Sequence, residues 1–363
     1  MTNRQRILQV LERKASGFPP VALRLDLWFN HARASGVLPA EVAGMTCAEI
    51  EDHLGFCRSA RFRNYIDINS QVHPKSVSKS DGDSATTYHF GDKTLVSTTR
   101  LTPDMSLTGM RPLHAKHPVE TESDYRLMAD FYDSATARFD DDGLAAFDRE
   151  TGDKGLPMLI LGPCPFHELM LNLVGYDKFY FDYYDIPAAV DRLFSAMDAF
   201  YRKTIWPAVA ASTPTLILHG CHFSHDMTPL PLFKKYFVPY HTDFCRLMHA
   251  HGKFVGFHCD DSLGELAPLI PQVGFDVADC LATAPLVDET LDDYFEAWQG
   301  KVVCWGGLPS TIFSPEYLMD DYMRYVDEVI RKTRNRGDFI FGASDNVMPG
   351  SQWEKLKHLS ERQ

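Results

Sequence analysis

The chain lacks any pair of cysteines spaced CxxC, although it carries eight, at 47, 57, 164, 221, 245, 259, 280 and 304. That excludes zinc-ribbon and thioredoxin-type motifs. Scattered thiols in a chain this long fit free cysteines of a cytoplasmic protein rather than a disulfide frame. No stretch reaches about 18 consecutive apolar residues, so no membrane span is expected. The opening MTNRQRILQVLERKASG holds no apolar run of signal-peptide length and reads instead as an amphipathic helix with Ile7, Leu8 and Leu11 on one face. Positive charge is in deficit: 36 Lys and Arg stand against 49 Asp and Glu, a net charge of −13. This argues against nucleic-acid and anionic-membrane partners. A small anionic substrate stays compatible, because one arginine acts locally. No GxGxxG or GxxxxGK[ST] follows any apolar run, which weakens dinucleotide-binding and P-loop readings.

What is present is a large apolar fraction, 45% of 363 residues, enough for a sizeable core. Short apolar runs alternate with longer amphipathic stretches. The runs are VALRLDLWF (21–29), MLILG (158–162), TLILHG (215–220), KFVGFH (253–258), FDVADC (275–280), KVVCWGG (301–307) and DFIFGAS (338–344). Between them helices are expected near 187–211, 230–251, 262–272, 289–299 and 315–335. Near-continuous apolar strands separated by helices imply βαβ units and a parallel sheet covered on both faces. The expected fold is an α/β (β/α)8 TIM-type barrel, a single domain over 1–363 with an N-terminal helical extension. Residues 30–150 are less regular. Within them TTYHFGDKTLVSTTRLTPD (86–104) alternates like a β-hairpin turning at Gly91-Asp92, an insertion after the first strand.

In such a barrel the C-terminal strand ends converge on one site, and here those ends are polar. The first offers Arg24, Asp26 and Trp28, and the second Cys164 and His167. The third offers His219, Cys221, His222, His225 and Asp226, and the fourth His258, Cys259, Asp260 and Asp261. Asp279 and Cys280 end the fifth, Gly306 and Gly307 follow the sixth, and Ser344, Asp345 and Asn346 end the last. His258 and Asp260 lie two apart, so on an extended backbone they point the same way. Imidazole with carboxylate suits a divalent metal such as zinc, with His222 as a third ligand and Asp279 and Cys280 as second-rank ligands. Cys221, Cys259, Cys280 and Cys304 also read as small buried hydrophobes. Arg24 suits either an internal carboxylate or a substrate carboxylate. Trp28 and Tyr88 suit a pocket for an aromatic substrate or the core. Gly306 and Gly307 allow a ligand against bare backbone or a tight turn. DDDGLAAFDRE (140–150) reads as a solvated acidic surface.

NRQRILQVLERKASGFPPVALRLDLW, HPVETESDYRLM, PLFKKYFVPYHTDFCRLMHAHGKFVGFHCDD and SDNVMPGSQWEKLKHL together resemble the uroporphyrinogen decarboxylase superfamily over nearly the whole chain. True decarboxylases of that kind carry an MRQAGR-type opening where this chain has RLDLWFNHAR. The other branch, the corrinoid-linked methyltransferases, carries a His-x-Cys zinc motif and a further Cys near the last strand end. His258 matches that histidine, while Asp260 and Ser344 stand at the thiolate positions. A harder His/Asp site leaves the metal more electrophilic, suited to an ether oxygen. The resemblance thus implies a methyltransferase moving a methyl group from a methoxy donor to a corrinoid supplied by a partner protein, and at superfamily level a homodimer. In that reading His222, His258 and Asp260 hold the metal. Asp345 orients or donates a proton, Arg24 and Asp26 face the substrate, and His167, His219, Gly306 and Gly307 stand behind. The rivals are a metal-independent decarboxylase, in which Asp26 stabilises a protonated intermediate, and a non-catalytic tetrapyrrole-binding barrel.

Overall fold

The computed structural model describes every residue except 71–74, 79–81 and 222, with 75–78 described as backbone alone. Seven parallel strands form one curled sheet in sequential order. They are β1 (Arg61–Phe62), β2 (Met158–Gly162), β3 (Leu216–His219), β4 (Phe254–His258), β5 (Val277–Leu281), β6 (Val303–Leu308) and β7 (Phe339–Ala343). Six of the seven coincide with the apolar runs, and helices fill the intervals between them.

Alternation along these strands sorts the side chains into two layers. Leu159, Ile217, Val255, Phe257, Ala278, Phe339 and Phe341 belong to the main core beneath the helices. Met158, Leu216, Leu218, Val277, Val303, Trp305 and Ile340 belong to a second cluster on the opposite face, and Ile7, Val10 and Leu11 pack into it. Those three residues are the buried stripe of helix Asn3–Leu11, whose start is fixed by a Thr2–Gln5 capping box. The N-terminal helix therefore covers the apolar end of the inner face. Gly256 belongs to the same layer. A Cβ there would sit 2.7 Å from Val277 Cγ1, so only glycine lets β4 and β5 pack this closely.

The expected first strand, 21–29, is not one. Only Val21 bridges to Phe341. Ala22 N donates to Phe341 O (2.8 Å), Phe341 N to Pro20 O (2.9 Å), and Cys57 N to Val21 O (2.7 Å). Residues 20–22 thus tie β7 to the chain just ahead of β1. Where eight strands were expected, the described residues show seven laddered strands and this single bridge. Residues Asp26–Ala34 are helical because Trp28, Phe29 and Ala32 bury one face at helical spacing. Between β1 and β2 an antiparallel hairpin joins Asp83–Phe90 to Lys93–Arg100 with Gly91 and Asp92 at the turn. It belongs to a four-stranded sheet with Lys75–Ser78 and Leu113–Lys116. No helix among the described residues is long and apolar enough to cross a membrane. All eight cysteines are free.

Candidate functional site

At the polar end of the inner face lies a cavity of about 760 Å³. Ile160, Gly162, Leu218 and Gly220, at the ends of β2 and β3, line it together with His258, Asp260, Asp345 and Asn346, at the ends of β4 and β7, which we call its deep wall. Its outer wall comes from outside the sheet: Asp26, Leu27 and Asn30 from the helix after Val21, Cys47 and Glu51 from helix Cys47–His53, and Phe147, Glu150 and Thr151 from helix Asp141–Thr151. The stretch 140–150, expected to be merely a solvated acidic surface, therefore turns one side to the cavity.

Register builds the charged centre. Parallel pairing of β4 with β5 sets His258 opposite Asp279. Asp279 is fully buried and takes a two-pronged ion pair from Arg61, with Nη2–Oδ1 2.5 Å and Nη1–Oδ2 2.8 Å. The ladder from β5 to β6 shifts between Asp279 and Leu281. The extra residue is Cys280, at φ 60°. A bulge of this kind re-aims one side chain. Without it Cys280 would fall on the opposite side of the strand from Asp279. With it, the thiol lies within 3.3 Å of Asp345 O and 3.7 Å of Arg61 Nη2. Asp345, just past β7, is also left-handed (φ 59°). It receives Arg24 Nη1 at 2.5 Å. His258 Nδ1 faces Asp279 (3.4 Å), while its Nε2 faces Asp260 (3.2 Å) and Asp345 (3.5 Å).

Electrostatics follow this geometry. Burial pushes the His258 imidazole down, but the pull of Cys280 and hydrogen bonds to Asp260, Asp279 and Asp345 prevail and hold it well above its ordinary range. Burial would raise Asp279, yet Arg61 and His258 keep its carboxyl far below the usual range. Asp345 is likewise raised by burial but brought down to about 2 by His258 and Arg24. Asp345 is therefore a carboxylate at neutral pH. It accepts from Arg24 Nη1 and faces His258 Nε2. Glu51 is the reverse case. Burial raises it to about 8 against the hydrogen bond from Ser59 N, with Asp26 adding to the rise. It is a carboxyl raised by burial on the wall of a cavity that Arg24, Arg61 and Asp345 also line.

Among the described residues, His258, Cys280 and Asp345 offer one nitrogen, one sulfur and one oxygen within 4.8 Å of one another, a group able to hold a metal ion. The structure thus brings His258, Asp260, Asp279, Cys280, Asp345 and Arg24 together, with Asp26 on the same cavity. His222 lies outside the described residues.

The expected substrate-binding residues sit elsewhere. Trp28 is in the core, its ring stacked on Trp353 and its Nε1 donating to Ser351 O (3.1 Å). His167 is fully buried against Thr228 Oγ1 (3.0 Å). His219 lies between Gly162 O (3.2 Å) and Tyr240 OH (3.0 Å), and burial lowers it to about 4. Gly306 and Gly307 serve packing: a Cβ on Gly306 would meet Leu281 O at 2.4 Å, and one on Gly307 would meet Phe339 at 2.9 Å. None of these five lines the cavity.

Among the charged cavity residues, Glu51, Arg58, Arg61, Arg63 and Arg111 were not singled out in the sequence. The R-F-R spacing at 61–63 was a signal, since alternate residues on extended chain share a side. Arg111 and Glu51 carried none. With Arg24 and Arg58, five arginines line the cavity of a chain whose net charge is −13.

No family model and no curated protein matches this chain. Among solved structures it is similar to a methyltransferase from Methanosarcina mazei, with a TM-score of 0.60 at 10% sequence identity over 99% of this chain and 98% of that one. The two share a fold along essentially their whole lengths.

Proposed function

We propose that this protein is a metal-dependent methyltransferase of the corrinoid-linked branch of the uroporphyrinogen decarboxylase superfamily, with a (β/α)8-type barrel as its scaffold. It takes the methyl group of a methoxy donor and passes it to a corrinoid on a partner protein. The observation that carries this reading is the His258–Cys280–Asp345 group at the ends of β4, β5 and β7, opening on the cavity. The likeness in fold to a methyltransferase supports it.

The donor set fits zinc, which takes nitrogen, sulfur and carboxylate oxygen at about 2.0–2.3 Å. When bound, zinc would supply Lewis acidity toward an ether oxygen, whose departure as an alkoxide or phenoxide is otherwise slow. The chain's own groups do the rest. Asp279 holds the His258 ring through Nδ1, so that Nε2 faces Asp345. Arg61 keeps Asp279 ionised, and Arg24 does the same for Asp345. Glu51, raised to about 8 by burial, lines the same cavity and is the carboxyl we infer to give a proton to a departing oxygen.

A second reading, a metal-independent decarboxylase, draws on the five cavity arginines, which suit a polycarboxylate. Metal content separates the two. Wild-type protein should carry about one zinc per chain by mass spectrometry, and His258→Ala and Cys280→Ser less than about a tenth of that. The metal-replete wild type should then consume cob(I)alamin in the presence of a methoxy donor, 1,2-dimethoxybenzene or 4-methoxybenzoate, followed by absorbance. Wild type that stays free of metal after zinc is added back would defeat the methyltransferase reading in favour of the decarboxylase.

A further inference from the structure

The five arginines differ in what they face. Arg24 is tied to Asp345, Arg58 to Asp52 and Arg61 to Asp279. Arg63 and Arg111 also line the cavity, yet among the described residues no carboxylate forms an ion pair with either. Arg63 is half-buried, whereas Arg111 is exposed at the rim. Burial, then the like charges of Arg24, Arg111 and Arg61, hold Arg63 below the ordinary guanidinium range, at about 10, against the weaker opposing pull of Asp26. A half-buried cation among three other cations is costly unless an anion joins it. Two further donors on the same cavity, Arg24 Nε and Asn346 Nδ2, are buried with no hydrogen-bond partner among the described residues.

We propose that Arg63 and Arg111 form an anion subsite that reads a carboxylate on the small organic substrate. This rests on the reading of the cavity as the active site, and it narrows the methoxy donor to a methoxylated acid. A guanidinium fork matches the two oxygens of a carboxylate, and two forks fix its direction as well as its charge. A cavity of about 760 Å³ accommodates a substituted aromatic acid with one end on the arginines and the other on the deep wall.

The test uses affinity, so it does not depend on turnover. Binding of 4-methoxybenzoate, 4-methoxybenzamide, benzoate and inorganic phosphate would be measured by calorimetry on the full chain, as purified and after chelator treatment. The proteins are wild type, Arg63→Gln, Arg111→Gln, the double variant, and Arg138→Gln as a surface control. Each acid should bind wild type at least about tenfold more tightly than the amide, as charge-assisted hydrogen bonds imply. Each single substitution should remove most of that preference, the double all of it, and Arg138→Gln none. The thermal midpoint of Arg63→Gln should equal or exceed that of wild type, because repulsion is relieved. A merely structural arginine would lower it. Acid and amide binding alike, or a preference that survives the double substitution, overturns the subsite. Phosphate binding more tightly than benzoate overturns the carboxylate assignment. Absence of zinc with the acid preference intact would remove the methyltransferase reading and leave the subsite standing.

Discussion

Asp279→Ala should destabilise the protein by about 3–5 kcal/mol, the usual cost of removing one partner from a buried ion pair. For a chain of 363 residues that is roughly 5 °C in thermal midpoint. The substitution leaves the Arg61 guanidinium, only 6% exposed at its side chain, with no carboxylate beside it, and it takes the Nδ1 partner from His258. Size is not the issue, so Asp279→Asn should fall almost as far. Because the carboxylate titrates below its unfolded value, the stabilisation is present above about pH 4 and disappears only as pH drops through the folded value. The pair is a device for holding His258 rather than a source of net stability. Arg61→Met combined with Asp279→Leu should therefore be less damaging than Asp279→Ala alone. Denaturant unfolding of wild type, Arg61→Met, Asp279→Leu and the double variant gives the coupling. If Asp279→Ala costs less than about 1 kcal/mol, the pair is no more than a surface-type bridge.

Glu51→Gln should flatten the dependence of stability on pH. In the folded protein Glu51 titrates at about 8 against 4.5 for the free side chain. Between those values the folded state holds a proton that the unfolded state has lost. Stability therefore falls as pH rises across that window, by about 1.4 kcal/mol per pH unit and on the order of 5 kcal/mol in all. Glutamine keeps the volume and the acceptor for Ser59 N and stays neutral throughout. Wild type and variant should match near pH 5 and diverge upward, with the variant more stable at pH 8. Melting curves that run parallel from pH 5 to 9 would show that Glu51 is ionised in the folded protein, and its role as proton donor would go with that result.

Most of the scaffold was legible because a doubly covered parallel strand must be apolar along its length. Runs such as MLILG and FIFGA have no other comfortable place. Residues 21–29 misled because two periods coexist there. The alternation of Val21, Leu23 and Leu25 suggests a strand, while Leu25, Trp28, Phe29 and Ala32 carry helical spacing, and tertiary burial of that stripe decided the matter. β1 escaped notice because two residues, one of them arginine, give no pattern to detect.

In the site, His258, Asp260, Arg24 and Asp345 were readable as polar ends of apolar runs. Cys280 was seen but ranked low, since its direction depends on a bulge that no letter announces. Arg63, Arg111 and Glu51 come from the irregular stretch 30–150, where position in the chain says nothing about which wall of a cavity a side chain will reach.

The left-handed backbone at Cys280 and Asp345 has a bearing on how this protein responds to engineering. Such a conformation costs an ordinary side chain on the order of 1–2 kcal/mol, and glycine or asparagine adopts it more readily. A library screened for heat resistance alone should thus drift toward glycine at 280, discarding the thiol, whereas the ion pair with Arg24 holds the carboxylate at 345 in place. On the proposed metal-binding reading, ranking by melting temperature would enrich for sequences without the thiol ligand, so a useful selection scores zinc content alongside survival of heat.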